Sequence, residues 1–349
     1  MEEADQFHAL LREYFTTVDQ TRRLALEHQM KPLFGDPKSI ALARELLCSQ
    51  DAAAGDNVQF FGAILLFELV TKRWEFLDSE TLNCAAQIMG SCPLNSFPAF
   101  VSRKLAQSYA AIASHEWPDG LLPDYFSGVC NDCAVPLAGG ARIVSAVSMI
   151  VADDQDVSFV RMTDEKRRNL RARLPVQQLT AALCDGLKKA AATQDESLTI
   201  ELLGALSDLL THCARAFQAV DGSVVATLLQ ALGYSAKIRE ATLSVMHDLT
   251  ARQVPMAIQL ARHTAPTALP VLLDLSMIAT ESLDNDSADE VRAMSLEVAG
   301  QWVERAGDAM GGLHGFHEHL LQFTGPLILS QYTSNRTRLA ICQVWMHTL

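Results

Sequence analysis

Asn57 to Trp74 reads NVQFFGAILLFELVTKRW, and the distribution of its apolar groups decides the fold. Wound as a helix over Val58–Arg73, the stretch places Phe60, Phe61, Ile64, Leu65, Leu66, Phe67, Leu69 and Val70 around most of the circumference. A helix that is hydrophobic almost all round must be buried on several sides. In a stacked array of helical hairpins, such a helix touches its own partner and both neighbouring hairpins. No single hairpin buries that surface alone. The stretch includes Glu68 and is too short to cross a bilayer.

Outward from it, amphipathic segments follow one another from end to end and pair off. Ala4–Phe15 goes with Asp19–Lys31, Ser39–Cys48 with Val58–Arg73, Ser79–Met89 with Pro98–Glu116, and Leu121–Cys130 with Ala141–Val151. Beyond an irregular charged stretch come Val176–Ala191 with Ser197–Phe217, and Gly222–Leu232 with Ala236–Thr250. Ala268–Ser282 with Ala288–Arg305 and Leu313–Leu329 with Thr337–Leu349 complete the series. His247–Pro270 fits least well, and an additional short helix is expected there. First helices recur at roughly 35–45 residues, the period of HEAT-type hairpins. The expected fold is therefore all-α, a right-handed α-solenoid of about eight HEAT-like pairs. It divides into N-terminal repeats over 1–151, a charged inter-repeat insert over 152–175 and further repeats over 176–349. The last helix, RLAICQVWMHTL, still asks for cover at Leu339, Ile341, Val344 and Trp345, whereas terminal repeats normally turn a polar face outward. The expectation is an array that continues past Leu349, or a partner that covers this end.

Composition agrees. Apolar residues make up 49% of the 349-residue chain and aromatics only 7%, a balance that favours helices, and no run alternates as a strand would. The net charge of −13 excludes nucleic acid as the main ligand, which demands a basic footprint, and suits a basic partner instead. No secretory signal or membrane span is evident, so a soluble intracellular chain is expected. The eight cysteines are scattered through apolar helices and read as small buried hydrophobes of a reducing compartment, not as a disulfide framework.

FVSRKLAQSYAAIASHEWPDGLLPDYF, Phe100–Phe126, resembles a segment near the start of the β-karyopherins, the importin and exportin nuclear transport receptors. Val101, Lys104, Leu105, Ile112, Trp117 and Pro118 hold the places of its V-x-x-K-L…I…W-P pattern. One repeat earlier, the helix that ends Lys72-Arg73-Trp74 is similar to the importin-β N-terminal module. VQFFGA, with Phe60 for the usual Tyr, and QVWMHTL, with Met346 for Tyr, resemble the importin-thirteen/transportin-SR branch. So, more loosely, does Val147–Leu174, where Ala152-Asp153-Asp154 stands for Pro-Glu-Glu. The resemblance implies a receptor that shuttles between cytoplasm and nucleus without catalysis or cofactor. It would bind the GTP form of the small GTPase Ran and protein cargo on its concave face, and nucleoporin FG repeats in outer grooves between hairpins. Members of this family are more than twice as long, so the sequence looks like an N-terminal portion. The rival reading is a HEAT-repeat scaffold subunit with no GTPase partner.

If the second helix of each pair lines the concave face, the candidate Ran and cargo contacts are Gln59, Lys72 and Arg73 on one inner helix and Arg103, Lys104 and Gln107 on the next. Their cations suit charge-assisted hydrogen bonds to a partner; the plainer reading is a solvated stripe, or Lys104 tying two repeats together. Trp74 and Trp117 read as anchors between layers. Pro118 stops the helix, since it lacks a donor and disfavours helical geometry at Trp117. Asp119 is placed to cap the next helix. Lys166, Arg167, Arg168, Arg171 and Arg173 form a basic run, read as part of a solvated insert rather than a localisation signal. Cys130 and Cys133 have metal-ligand spacing but no second close pair, and His314, His317 and His319 have no convincing fourth ligand, so no metal site is assigned. No phosphate-binding loop, dinucleotide fingerprint, nucleophile elbow or zinc-protease motif is present, and catalysis is not expected.

Overall fold

The structure is a computed structural model that describes residues 2–48, 55–91, 94–116, 137–152, 159–251, 255–278, 285–307, 316–330 and 333–348. Among the described residues it has 16 α-helices and no strand, and it is the stacked HEAT-like hairpin architecture that the sequence predicts. The chain divides into two compact units, Met1–Leu174 and Pro175–Leu349.

In the first unit, α1 (Glu2–Thr16) precedes α2 (Gln20–Met30), α3 (Ser39–Leu47) pairs with α4 (Gly55–Lys72), and α5 (Ser79–Ser91) with α6 (Ala99–Glu116). Two more helices follow, α7 (Leu137–Ile150) and α8 (Asp164–Arg173). The second helices α4, α6 and α7 pack side by side. α4 is enclosed as its composition requires: Val58, Ala63, Leu65, Leu66, Leu69 and Val70 are fully buried. Gly62 explains how closely α3 approaches it. A Cβ there would lie 3.0 Å from both the Ala43 carbonyl oxygen and the Leu46 side chain, so a larger residue would push the two helices apart. Asp19 caps α2 by accepting from the Thr21 and Arg22 amides, and Thr163 caps α8 by accepting from Lys166 N.

The second unit contains four hairpins in succession. They are α9 (Val176–Thr193) with α10 (Glu196–His212), α11 (Gly222–Ala231) with α12 (Ala236–Ala251), α13 (Pro255–Ile278) with α14 (Asn285–Ala306), and α15 (Phe316–Leu329) with α16 (Asn335–Thr348). The second helices α10, α12, α14 and α16 again stack on one another. Asp195 and Asp221 cap α10 and α11, and Gln194, in the left-handed conformation, closes α9.

Three sequence expectations need correction. The extra short helix expected within His247–Pro270 does not form: α13 runs unbroken from Pro255 through Pro266 and Pro270, 24 residues in all. The charged stretch before Pro175 is not merely solvated. α8 docks on the ends of its neighbours: Lys166 Nζ donates to the His115 carbonyl at 2.8 Å, and Arg171 donates to Val151 O at 2.8 Å and Ala152 O at 3.0 Å. The last carbonyls of α6 and α7 lack helical partners and carry partial negative charge, so cations satisfy them. Of the thiols, Cys184 and Cys213 are buried as expected, and burial pushes Cys184 up to about 12; Cys48 and Cys342 are exposed, contrary to a wholly buried set. Among the described residues no helix is long and apolar enough to cross a membrane. Trp117–Asp119, the Cys130–Cys133 pair and His314 lie outside the described residues.

Candidate functional site

α4 and α6 carry all the predicted contact residues except Arg73, which follows α4 directly. On α6, Arg103 is exposed, while Lys104 and Gln107 are half-buried. Lys104 Nζ sits 3.9 Å from the centroid of the Phe67 ring on α4 and donates to Gln107 Oε1 at 2.8 Å. Burial holds the Lys104 ammonium below the ordinary lysine range, and the nearby Glu68 carboxylate partly restores it. Glu68 in turn pairs with Lys72 one turn further along α4, at 2.5 Å. Lys72, Lys104 and Gln107 therefore belong to one connected group across the α4–α6 seam, with Glu68 and Phe67 between them. A face that desolvates a lysine over an aromatic ring binds a carboxylate or a carbonyl more strongly than a solvated lysine does.

Gln59 and Arg73 lie outside that group. Gln59 is half-buried on the first turns of α4, beside Phe60. Arg73 lies over the turn at Gly35, where φ is +84° and a Cβ would stand 3.2 Å from Arg73 Nε. Trp74 acts as the predicted anchor: its ring stacks on His115 of α6 at 4.5 Å and an interplanar angle of 8°. The His115 ring hydrogen-bonds the Val70 carbonyl, and its Nε2 is buried without a hydrogen-bond partner. Burial, reinforced by the Lys166 charge, lowers its pKa to about 4, so it stays neutral near pH 7.

One element of the site escaped the sequence reading. A groove of about 640 Å³ opens along α4, lined by Tyr14 and Phe15 of α1, Glu27 and Met30 of α2, Phe34, and the α4 stripe Phe60, Ile64, Glu68 and Lys72. Tyr14 donates to Glu27 at 2.9 Å, which braces the groove's outer wall. An aromatic floor with a few charged groups is the usual make-up of a binding cleft. The signal was present as the i, i+4, i+8, i+12 series on α4, but its apolar members read as core. Among the described residues, no cluster of His, Cys, Asp and Glu is arranged to hold a metal ion.

This architecture defines a class, the α-solenoid of HEAT-like hairpins, and solved nuclear transport receptors share it. The chain is similar in fold to yeast importin-β (Kap95p), with a TM-score of 0.54, 16% identity, and coverage of 99% of this chain and 46% of the other. A structure in which Kap95p binding induces the switch loops of RanGDP to adopt the GTP-bound conformation matches at 0.53 with 15% identity, over 99% and 45% of the two chains. A complex of Kap95 with Nup1 matches at 0.50 with 15% identity, over 99% and 46%. The chain thus spans less than half the length of these receptors. No protein-family model matches the sequence. No curated protein sequence matches it either.

Proposed function

We propose that this chain works as a transport receptor of the β-karyopherin kind, binding Ran in its GTP form and protein cargo without catalysis and shuttling between cytoplasm and nucleus. The observation that carries the reading is the fold match to Kap95p along 99% of the chain, which gives the basic α4–α6 patch a context. Lys72, Arg103, Lys104 and Gln107, with the groove beside them, are the proposed GTPase contacts. Acidic residues on the second helices of the other unit, among them Asp248, Glu297 and Glu304, suit a basic cargo. Grooves between first helices are the proposed seats for nucleoporin FG repeats. Because Ran and cargo compete for inner surfaces, each lowers the other's affinity by the same factor. Placement in the importin-thirteen/transportin-SR branch rests on the sequence resemblance alone.

Immobilised Ran tests the proposal. Ran locked with a GTP analogue should retain the chain, and Ran loaded with GDP should not. Lys72→Glu combined with Arg103→Glu, both at exposed positions, should weaken retention by about tenfold, or ~1.4 kcal/mol, with helix content unchanged. Equal retention on both forms, or none by a well-folded chain, favours the HEAT scaffold reading.

A further inference from the structure

Two arginines are buried among the described residues, and the fold treats them differently. Arg292 on α14, 7% exposed, donates from Nε to the Ser276 carbonyl at 3.1 Å and from Nη1 to Asp289 Oδ1 at 3.4 Å. Arg167 on α8 is 6% exposed, and its Nε is buried without an acceptor. Its side chain pairs with no carboxylate or carbonyl among the described residues. A guanidinium cannot lose its proton to escape the cost of burial, so it needs a counter-charge where it sits. Buried polar groups are otherwise satisfied, and an orphan of this kind calls for an acceptor from outside the chain.

The setting of Arg167 identifies that acceptor. α8 is ten residues long, and Thr163 caps its N-terminus with one oxygen that accepts from Lys166 N at 3.3 Å. A single side-chain oxygen takes up only one of the amides that a helix start leaves without internal partners, and the same turn carries the positive end of the helix dipole. Arg167 stands one turn further on. Helical side chains lean towards the N-terminus of their helix, which carries its guanidinium back over this first turn. Its neighbours are held elsewhere, Lys166 on the His115 carbonyl and Arg171 on those of Val151 and Ala152. From Arg161 to Arg173 the chain sets six cations against two carboxylates, Asp164 and Glu165. Both carboxylates are exposed, so water screens them, whereas the charge of Arg167 is buried. In a chain of net charge −13 this stretch is a local positive field.

We propose that the N-terminal turn of α8 is a phosphate site, in which the Arg167 guanidinium grips two oxygens and the helix amides receive a third. The planar fork of arginine matches two oxygens of one phosphate, and a helix N-terminus accepts the rest of the anion. A carboxylate has one charge and two oxygens, too few to serve the fork and the amides together. The ligand is therefore inorganic phosphate or the terminal phosphate of a monoester. None of the proposed Ran contacts takes part, and the inference is independent of the transport reading.

Hydrogen exchange of the full chain decides it, in potassium phosphate against potassium chloride of matched ionic strength. With phosphate at about ten times its half-saturating concentration, exchange in α8 should slow about tenfold. Arg167→Met should abolish that slowing. In phosphate-free buffer the same variant should leave α8 as protected as before or more so, because it removes an uncompensated buried charge and keeps apolar bulk. Arg167→Lys keeps the charge but not the fork, and should raise the half-saturating concentration about tenfold. Glycerol 3-phosphate in place of the inorganic ion separates the sources. Equal slowing by both supports a phosphate carried on a larger molecule, and slowing by the inorganic ion alone supports the free ion. No slowing in the unaltered chain, equal slowing in all three chains, or loss of α8 protection in Arg167→Met without phosphate overturns the proposal, the last by making Arg167 a structural group.

Discussion

In the first unit, rings hold the seams. Phe7 and Phe34 each approach Phe61 at 5.4 Å, Phe60 meets Phe100 at 5.2 Å, Phe67 meets Phe159 at 5.6 Å, and Trp74 stacks on His115. In the second unit, polar groups cross the corresponding seams. Ser207 donates to Asp248 between α10 and α12, Thr250 donates to Gln301 at 2.6 Å between α12 and α14, and Arg336 donates to Glu297 at 2.8 Å between α16 and α14. The same hairpin stack is thus joined in two ways. Ring-lined seams desolvate the basic groups they enclose, so Lys104, His115 and Lys166 are all pulled below their ordinary ranges. Polar seams do the reverse: carboxylates raise His247 and Arg336. One architecture gives two opposite electrostatic responses.

The comparison is broken most severely at Trp302, a large buried ring in a second-unit hairpin. It is fully buried, and truncation leaves both a cavity and Thr264 without its indole donor. Trp302→Ala should cost about 3–5 kcal/mol, read as loss of hydrogen-exchange protection in α13 and α14. Trp302→Phe keeps most of the volume and should cost about 1 kcal/mol for the hydrogen bond. Trp345→Ala, at the half-exposed position whose indole donates to Thr324 in the same way, should fall well short of the Trp302→Ala loss. Equal losses at Trp302 and Trp345 would show that the hydrogen bond, not burial, holds the hairpin.

These contrasts also mark what the sequence could tell. α4 was legible because its burial is written locally, in consecutive apolar residues. Lys104 was legible only as part of a polar stripe on an amphipathic helix, with a tie between two repeats left open beside a solvated stripe and a partner contact. α13 was not: its first half, within His247–Pro270, fitted the hairpin pattern least well, yet one helix runs from Pro255 through Pro266 and Pro270 to Ile278. α8 was hidden because its docking uses Lys166 and Arg171 on carbonyls that lie 51 and 20 residues away along the chain. Charge runs of this kind read as solvated when their acceptors are backbone groups. The α4 groove was missed for the opposite reason, since Phe60 and Ile64 looked like core and became a lining only once α1 and α2 were in place. The Thr–Trp bond of the last two hairpins spans 38 residues in one case and 21 in the other, so no fixed spacing announces it.

Acidification sharpens the comparison with a smaller effect. His115 titrates at about 4 when folded and at about 6.5 when unfolded, so its contribution is complete above pH 6.5 and is lost as pH falls towards 4. Within that window it should remove about 1.4 kcal/mol per pH unit from the stability of the first unit. His247 has the opposite sign. Its folded pKa is raised by Asp248 first and Glu297 further off, so its contribution is complete below pH 6.5 and fades as pH rises through the folded value. Hydrogen exchange at pH 5.5 and 7 should show α4–α6 protection falling on acidification, with His115→Gln flattening that slope. His247→Gln should change only α12 and its neighbours, and in the other direction. Parallel slopes in the two units would remove the electrostatic distinction.

The smallest effect belongs to the exposed end of the polar seam. Arg336 reaches Glu297 with two nitrogens, at 2.8 and 3.0 Å, and Glu290 at 3.4 Å. Its side chain remains half exposed, so water and salt screen most of the attraction. Arg336→Ala should therefore cost no more than about 1 kcal/mol in dilute buffer, and less as ionic strength approaches 1 M. The ring-lined seam supplies the control. Phe67 shields Lys104 from solvent, so Phe67→Leu should destabilise α4–α6 by an amount that salt barely changes. A salt-independent loss at Arg336 would mean that its stem, packed along α14, matters more than its charge. The polar seam would then be held by the same apolar burial as the ring-lined one, and the two halves of the chain would differ in residue type but not in the force that joins their hairpins.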